Sequence, residues 1–344
     1  MRNRAVALLS GGLDSMLSVL LMLRQGIQVY AIAFRTPFEV RSPDLVLDEA
    51  LHQSFIQSMG FHLEVRHLGV EMLDIVKHPK HGYGKNMNPC IDCRILMLKE
   101  AKKYMDSLGA DFLVTGEVLG QRPMSQRRDM LYHIDKEAGV ADAVVRPLSA
   151  QLLRITLPER QGIMDREKLY AFAGRSRKPQ MALAREFGLH TYPPPAGGCL
   201  LTEPNYAMRL KDLLAHDADP AMRDLELLKM GRHFRYSPRC KIIVGRDKTE
   251  NAIIETLAKD NDCLLRVESY GSPVTLVTGE VTDNSLMTAA QICARYADVK
   301  YYQDVSVKVF RGGRVSTLRV NPAAEEILGA IRIGIGQKGE KAKV

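Results

Sequence analysis

Several patterns are missing from this 344-residue sequence, and each absence excludes a class of protein. No apolar run is long enough to cross a membrane as a helix, so we expect no membrane partner. Residues 1–4 are polar and lead directly into an apolar stretch, which predicts a cytoplasmic protein without a signal peptide. No lysine follows the glycines near the N-terminus, and no GxGxxG string follows the first apolar stretch. These two absences exclude two common phosphate-binding loops.

The stretch at residues 5–15 joins an apolar segment to a glycine turn. Residues 6–9 suit a strand buried on both faces of a parallel sheet, and residues 17–23 predict a helix. Between them, residues 10–15 read Ser-Gly-Gly-Leu-Asp-Ser. Free N–H groups point outward at a helix start, so this arrangement predicts an anion site. Two adjacent glycines alone would indicate an ordinary tight turn, but the six-residue string is more specific.

This string resembles the signature of the PP-loop ATP pyrophosphatases, which cleave ATP between the α- and β-phosphates. The resemblance implies ATP and Mg²⁺ as cofactors, and it implies that Asp14 holds Mg²⁺ or orients the phosphates. It also implies that adenine binds at the end of the second strand, at Ala33 and Phe34. The residues implied to cradle the pyrophosphate are Ser10, Gly11, Gly12 and Ser15, and Leu13 and Asp14 complete the implied ATP-binding string.

Strands and helices alternate through the first half of the sequence. The pattern predicts strands at residues 28–34, 62–67, 112–115 and 144–148, and helices at 44–59 and 71–77; residues 154–188 read as one basic helix. This spacing is typical of βαβ units, so we expect an α/β fold with a Rossmann-like parallel sheet. Ligands in such sheets bind beyond the carboxyl ends of the strands.

A second polar string follows the strand at residues 112–115. Residues 115–126 resemble the second nucleotide-site motif of the tRNA 4-thiouridine synthases. The resemblance implies that Gly116, Gln121 and, after the fifth strand, Arg146 contact ATP. Other polar residues of the string are candidates for contacts with ribose, phosphate or the modified base: Glu117, Ser125 and Gln126.

The six cysteines do not indicate disulfides, because the sequence shows no secretory signal. Cys90 and Cys93 form a CxxC at the predicted start of a helix, where the dipole is expected to lower the pKa of a thiol. A zinc half-site, a redox pair and part of an iron–sulfur site all fit this motif. With no second CxxC, a closed four-cysteine zinc site is not expected.

Cys199 ends a loop rich in proline and glycine. The tRNA 2-thiouridylases, a similar family, pair an Asn/Asp-Pro-Cys-x-x-Cys segment with a later loop cysteine. The resemblance implies that Cys90, Cys93 and Cys199 converge beside the ATP site, where they either hold a [4Fe–4S] cluster or transfer sulfur from a Cys199 persulfide that Cys90 resolves. The cluster is favoured, because a persulfide leaves Cys93 without a role.

The last third of the sequence predicts a smaller α+β domain. Residues 231–251 resemble the RNA-binding module of the NFACT family. The resemblance implies contacts with RNA phosphates through Arg232, Arg235, Arg239, Lys241 and Arg246. The net charge of +8 favours the same partner, although solvated helix faces explain basic clusters about as often.

The sequence is therefore interpreted as four segments. Residues 1–203 form a PP-loop sulfur-transfer domain, 204–228 a helical connector, 229–336 an RNA-binding domain and 337–344 a basic tail. The expected activity is tRNA thiolation: a uridine carbonyl oxygen is adenylated, pyrophosphate leaves, and sulfur replaces the oxygen. The expected partners are tRNA and a sulfur donor, namely a cysteine desulfurase, a carrier protein or free sulfide. A homodimer is compatible with this interpretation.

Two other functions remain open at this point. A PP-loop ligase or amidase would act on a small carboxylate without RNA, and a nucleotide-binding RNA-binding protein would carry out no thiolation. Asp14 and the three placed cysteines favour the sulfurtransferase over the non-catalytic protein.

Overall fold

The computed structural model describes residues 3–39, 59–192 and 199–334. The chain divides into two compact units, Met1–Leu200 and Leu201–Val344. The helix predicted at residues 44–59 lies outside the described residues except for its last position, and so does the tail at 337–344. Within the described ranges, no helix has the length and apolar character that a membrane crossing requires.

The first unit is built on a five-stranded parallel sheet, as predicted. Its order is β3-β2-β1-β4-β5, with β1 in the centre. The strands are β1 (Arg4–Leu8), β2 (Gln28–Arg35), β3 (His62–His67), β4 (Phe112–Thr115) and β5 (Val144–Val145).

Helices cover both faces of this sheet, which explains why β1 is apolar at successive positions. Ala5 and Ala7 pack into the core on one face, while Val6 and Leu8 pack into the core on the other. The helices are α1 (Leu13–Arg24), α2 (Val70–Lys77), α3 (Cys90–Leu108), α4 (Arg128–Glu137), α5 (Leu157–Arg160) and α6 (Lys178–Glu186).

The prediction of one basic helix over residues 154–188 is wrong. This stretch contains only the short α5, a 3-10 turn at Arg166–Lys168 and α6. Gly162 and Gly174 adopt positive φ angles of 68° and 82°, which are turn conformations rather than helical ones. The helix α4 was not predicted.

The second unit is built on a seven-stranded antiparallel sheet of order β11-β10-β8-β9-β7-β6-β12. Two of its strands, β10 and β11, form a hairpin. The strands are β6 (Arg232–Ser237), β7 (Cys240–Val244), β8 (Cys263–Val267), β9 (Thr275–Gly279), β10 (Val305–Arg311), β11 (Arg314–Val320) and β12 (Arg332–Ile333).

The helices of the second unit lie on both sides of that sheet. The predicted helical region before the sheet is two helices, α7 (Pro204–His216) and α8 (Met222–Leu227), interrupted where the sequence indicated. The others are α9 (Lys248–Leu257), α10 (Asp283–Arg295) and α11 (Glu325–Ile331). Cys240, Cys263 and Cys293 are fully buried in the core on the α10 side.

Candidate functional site

The turn between β1 and α1 forms the centre of the candidate site. Gly11 has a φ of +79°, and Gly12 precedes the helix without a side-chain cap. Ser10 Oγ donates to Ser15 Oγ (3.2 Å), and Ser15 Oγ donates to the Gly12 carbonyl (2.8 Å). The first N–H groups of α1 thus lie at the carboxyl edge of the central strand, which is an arrangement that binds anions.

Asp14 lies in the first turn of α1 and is only partly satisfied. Gln121 Nε2 donates to Asp14 Oδ2 (3.0 Å), whereas Oδ1 is buried and has no hydrogen-bond partner among the described residues. Burial raises the pKa of Asp14, although the Gln121 hydrogen bond and the Arg177 charge act in the opposite direction. One oxygen of this carboxylate is therefore available to a cation or a donor from a ligand.

Gly116 directly follows β4 and packs against the backbone at the start of α1. A Cβ atom at this position would lie 2.5 Å from the Ser15 nitrogen and 2.6 Å from the Asp14 carbonyl carbon. No side chain fits between these two backbone segments. The close approach that the sequence predicted for Gly116 is therefore made to the loop at residues 10–15, which it holds against the second polar string.

Ala33 and Phe34 lie at the same edge of the sheet. The Leu9 N–H donates to the Ile32 carbonyl (2.9 Å), so the end of β2 runs beside the residue that precedes the glycine turn. Ala33 is buried, and Phe34 packs against the core on the α3 side. The structure thus places both residues next to the loop.

The thiols of the CxxC lie in the first turn of α3, as predicted, but the predicted effect on their acidity is wrong. Burial, together with the neighbouring Cys199 and Cys90 thiols, raises the pKa of Cys93 to about 12. Burial also raises the pKa of Cys90, against the charge of Arg122. Desolvation and mutual repulsion outweigh the helix dipole here.

Cys199 lies close to this pair. Its backbone forms a bridge with Glu39, just beyond the end of β2, and the Leu200 N–H donates to the Phe38 carbonyl (2.9 Å). The Cys199 and Cys90 thiols both act on the pKa of Cys93, so the three cysteines lie in one neighbourhood. Across residues 3–39, 59–192 and 199–334, no group of three or more His, Cys, Asp or Glu side chains is spaced to hold a metal ion.

Arg122 is a residue that the sequence analysis missed. Its charge lowers the pKa of Asp14, of Cys90 and of Cys93, so it acts on both the glycine turn and the thiols. Its backbone N–H donates to Gln126 Oε1 (2.9 Å), which fixes the loop that carries it. The available signal was a lone cation directly after Gln121 in a string of polar residues.

Another group that the sequence analysis missed consists of three polar side chains and begins within the CxxC: Asp92, His81 and His133. Asp92 Oδ1 lies 2.7 Å from His81 Nδ1, and Asp92 Oδ2 accepts from the His81 N–H (3.0 Å). His81 Nε2 in turn lies 3.0 Å from His133 Nε2. Asp92 therefore anchors the preceding loop to the helix that carries the cysteines.

The structure corrects the expected role of Arg146 and of Glu117. Arg146 is 3% exposed; its Nε donates to Glu117 Oε2 (3.0 Å) and its two Nη atoms donate to Asp135 (2.8 and 2.7 Å). Arg94 Nε donates to the other Glu117 oxygen (2.9 Å), and the two arginines lower the pKa of Glu117 to about 2 despite its burial. The donor groups of Arg146 are bonded to Glu117 and Asp135, so these side chains stabilise the buried core next to the site instead of contacting ATP. Ser125 and Gln126 are buried as well.

The five cations predicted to grip RNA lie in different environments. The Arg232 guanidinium lies 4.4 Å from the centre of the Tyr296 ring. Lys241 is only 6% exposed beside Asp212, and burial lowers its pKa to about 8, so it is not available to a phosphate. The other three are paired with acidic residues: Arg235 with Asp212, Arg239 with Glu280 and Arg246 with Glu250.

Two arginines outside the predicted set lie at the tip of the β10–β11 hairpin. Arg311 and Arg314 are exposed and lie directly opposite each other across the two strands. Like charges in such a pair are unfavourable, so an anionic ligand would relieve their repulsion.

The first unit is thus an α/β domain with an anion-binding glycine turn at its central strand and three cysteines nearby. Two regions of the chain match known families. Residues 1–151 match the family described as "Thiamine biosynthesis protein (ThiI)", and residues 231–330 match the "NFACT protein RNA binding domain". The resemblances predicted from the sequence are confirmed.

Individual relatives agree with these matches. The tRNA-specific 2-thiouridylase MnmA of Pseudomonas aeruginosa (strain LESB58) is 27% identical over 245 residues, covering 67% of this chain and 60% of the relative. A probable tRNA sulfurtransferase of Thermococcus kodakarensis is 26% identical over 156 residues, covering 43% of this chain and 37% of the relative. The chain therefore spans at most about three fifths of these two relatives.

Among solved structures, a 4-thiouridine synthetase–RNA complex with bound ATP is 26% identical and covers 42% of this chain and 36% of that chain. Its TM-score is 0.33.

Proposed function

We propose that this protein uses ATP to transfer sulfur to a uridine of tRNA. Such an enzyme must bring an ATP-cleaving loop and a sulfur-carrying thiol to one substrate atom. The observation that carries the proposal is the hydrogen bond from Gln121 Nε2 to Asp14 Oδ2 (3.0 Å), which joins the second polar string to the glycine turn. The next residue, Arg122, lowers the pKa of Asp14 and of both thiols of the CxxC. The sequence matches to thiouridylases support the same activity.

In the first step, a uridine carbonyl oxygen attacks the α-phosphate of ATP. An oxygen–phosphorus bond forms, and the bond to the β-phosphate oxygen breaks, releasing pyrophosphate. The free backbone N–H groups at the start of α1 stabilise the departing charge. The hydroxyls of Ser10 and Ser15 fix the turn that presents these groups before the reaction begins. Asp14 would hold the Mg²⁺ that neutralises the pyrophosphate, and its Oδ1 atom is free for this role within the described structure.

In the second step, sulfur replaces the activated oxygen and AMP leaves. With a persulfide, the outer sulfur on Cys199 attacks the activated carbon, and Cys90 then attacks Cys199 Sγ. This releases the thiolated base and leaves a Cys90–Cys199 disulfide, which an external dithiol reduces. Thiolates are also the ligands that iron–sulfur clusters require. In the alternative form of the proposal, Cys90, Cys93 and Cys199 would therefore hold a [4Fe–4S] cluster after moving closer together, since their spacing in the described structure does not fit a metal ion.

The second unit is proposed to hold the tRNA. Its match to an RNA-binding domain supports this role, and phosphate contacts would position the RNA without reading its sequence. Among the cations predicted from the sequence, Arg232, Arg235, Arg239 and Arg246 remain candidates, and the exposed hairpin pair Arg311 and Arg314 joins them.

Pyrophosphate release by the purified protein tests this proposal against its alternatives. We expect release from Mg·ATP to require tRNA. Release that depends on small carboxylates and not on tRNA would indicate a ligase, and RNA binding without release under any condition would indicate a non-catalytic binding protein. Mass spectrometry of nucleosides from the reacted tRNA then identifies the thiolated position.

The Cys199→Ser variant tests the sulfur step. It should bind Mg·ATP like the wild type and form no thiouridine, because the thiol that delivers sulfur is gone. Cys240→Ala, which removes a buried thiol of the second unit, is the matched control and should retain thiolation. Visible and EPR spectra of anaerobically purified protein distinguish the cluster from the persulfide.

A further inference from the structure

A buried glutamine beside the glycine turn has no structural explanation. Gln180 is 0% exposed, yet neither its amide nitrogen nor its amide oxygen has a partner in good hydrogen-bond geometry among the described residues. A buried amide normally pairs both groups, since leaving them unpaired costs about 1–3 kcal/mol. An apolar residue of similar size would give a more stable fold at this position.

The position of Gln180 shows where a partner would come from. Gln180 lies in the first turn of α6, which packs along α1 through Leu183 and Ala184. Arg24 at the end of α1 pairs with Glu186 at the end of α6, so the two helices run in the same direction and Gln180 lies at the end of α1 that carries Asp14. A weak hydrogen bond from the Gln180 amide, outside good geometry, lowers the pKa of the Asp14 carboxyl. Asp14 Oδ1, the other buried atom without a partner here, belongs to the same small region.

We propose that Gln180 is a binding residue for the β- and γ-phosphates of the nucleotide. Its amide nitrogen supplies a donor for a phosphate oxygen. Its amide oxygen and Asp14 Oδ1 supply two acceptors for the hydrated cation that accompanies the phosphates. The ligand thus satisfies three polar atoms that the protein leaves unpaired. This inference rests on the proposed nucleotide site and adds a residue that the family resemblance did not supply.

Gln180→Met is the variant that tests this inference, because methionine keeps the length and lack of branching of glutamine but removes both polar groups. We expect binding of Mg·ATP and Mg·pyrophosphate, measured by titration calorimetry, to weaken about 10- to 100-fold, as expected for losing a hydrogen bond to a charged group. Binding of AMP should be unchanged, since AMP lacks the two outer phosphates. The Tm of the free protein should rise.

Two further variants separate the loss of the amide donor from the general effect of removing a buried polar group. Gln180→Glu keeps the shape but loses the donor and adds a negative charge, so it should weaken ATP and pyrophosphate binding without raising the Tm. Thr275→Val removes another fully buried polar group without a partner in hydrogen-bond geometry among the described residues, this time in the second unit. It should leave nucleotide binding unchanged.

Unchanged affinity of Gln180→Met for Mg·ATP and Mg·pyrophosphate would overturn the inference, and a lower Tm would then identify Gln180 as a structural amide bonded to buried water. An equal loss of AMP binding would also overturn it, because the effect would not belong to the outer phosphates. A wild-type protein that binds none of these ligands would overturn the nucleotide site itself and the inference with it.

Discussion

Two buried carboxylates in the first unit have opposite surroundings. Glu117 accepts from Arg94, Arg146 and Thr115, so its charge is compensated within the protein. Asp14 accepts from Gln121 alone at one oxygen, and within the described residues the other oxygen has no partner. The first arrangement stabilises the folded chain, whereas the second leaves binding capacity for a ligand.

Replacing Arg146 distinguishes a structural role from a phosphate-binding role. Arg146→Met would leave the Glu117 and Asp135 carboxylates buried without their shared cation, so we expect a loss of about 3–5 kcal/mol in the free energy of unfolding. Urea denaturation measures this loss. Arg160→Met, which breaks the exposed pair with Asp142, should cost less than about 1 kcal/mol. Unchanged stability together with weaker ATP binding would instead support the phosphate role implied by the resemblance.

Glu117 also predicts a pH dependence of stability. Its pKa in the folded protein is about 2, below its ordinary value of 4.5. Because the folded state favours the charged form, the stabilisation is fully present above about pH 4.5 and is lost as the pH falls toward 2. Urea denaturation from pH 6 to pH 3 should show this loss, and the Glu117→Gln variant should show a shallower dependence. Equal slopes for both proteins would contradict the assignment.

Replacing Gly116 with a larger residue should cause a steric clash with the glycine turn. Gly116→Ala would push a methyl group into the backbone of Asp14 and Ser15, displacing the glycine turn. We expect a loss of about 1–3 kcal/mol in stability and a marked loss of Mg·ATP binding. The control is Gly329→Ala in α11, where a Cβ meets nothing within 4 Å and where alanine favours the helix. Wild-type ATP affinity in Gly116→Ala would show that the turn adjusts freely.

At the scale of elements, the sequence predicts the sheet of the first unit well, because β1 and β4 are short apolar runs buried on both faces. It fails at residues 154–188, where Gly162 and Gly174 break a stretch whose composition suggests one helix. The roles of Arg146 and Asp135 also could not be predicted, because their pairing depends on how β5 and α4 pack.

The sequence does contain a signal that marks Gln180 as unusual, namely its spacing from two apolar residues of α6. Gln180 lies three residues before Leu183 and four before Ala184, both buried, so it occupies the apolar face of α6. Its neighbour Met181, although apolar, is 38% exposed. The signal was a polar residue at a position where the helical repeat predicts an apolar one.

The hairpin of the second unit predicts a salt-dependent effect on RNA binding. Removing both arginines with Arg311→Gln and Arg314→Gln should weaken tRNA binding and reduce the slope of log K against log salt by about 1 to 2. Protein stability should stay equal or rise slightly, because two like charges face each other there. Lys241→Met is the control and should leave RNA affinity unchanged, since Lys241 is buried. A larger effect from Lys241→Met would reverse this assignment.

At the scale of the whole molecule, the two units have separate hydrophobic cores. One set of core residues belongs to the parallel sheet and another to the antiparallel sheet. Units with their own cores generally fold independently. The sequence matches follow the same division, with one family match in each unit.

A fragment of residues 1–203 tests whether nucleotide binding belongs to the first unit and tRNA binding to the second. We expect it to fold and to bind Mg·ATP with the affinity of the full chain, because the glycine turn, Asp14 and Gln180 all lie within it. Stimulation of pyrophosphate release by tRNA should be lost, since the proposed RNA-binding surface is removed. Calorimetry and a pyrophosphate assay measure the two properties. Full stimulation of the fragment would assign tRNA binding to the first unit.

The contact between Gly116 and Ser15 has a thermodynamic consequence. The backbone leading to Arg122 lies directly against the glycine turn, so a shift of the turn on nucleotide binding displaces the loop whose charge acts on the thiols. Coupling between two ligands is reciprocal. If bound nucleotide changes the affinity of the thiols for sulfur, then sulfur loaded on the thiols changes the affinity for nucleotide by the same factor. The sulfur state of the cysteines would thereby control when ATP is bound.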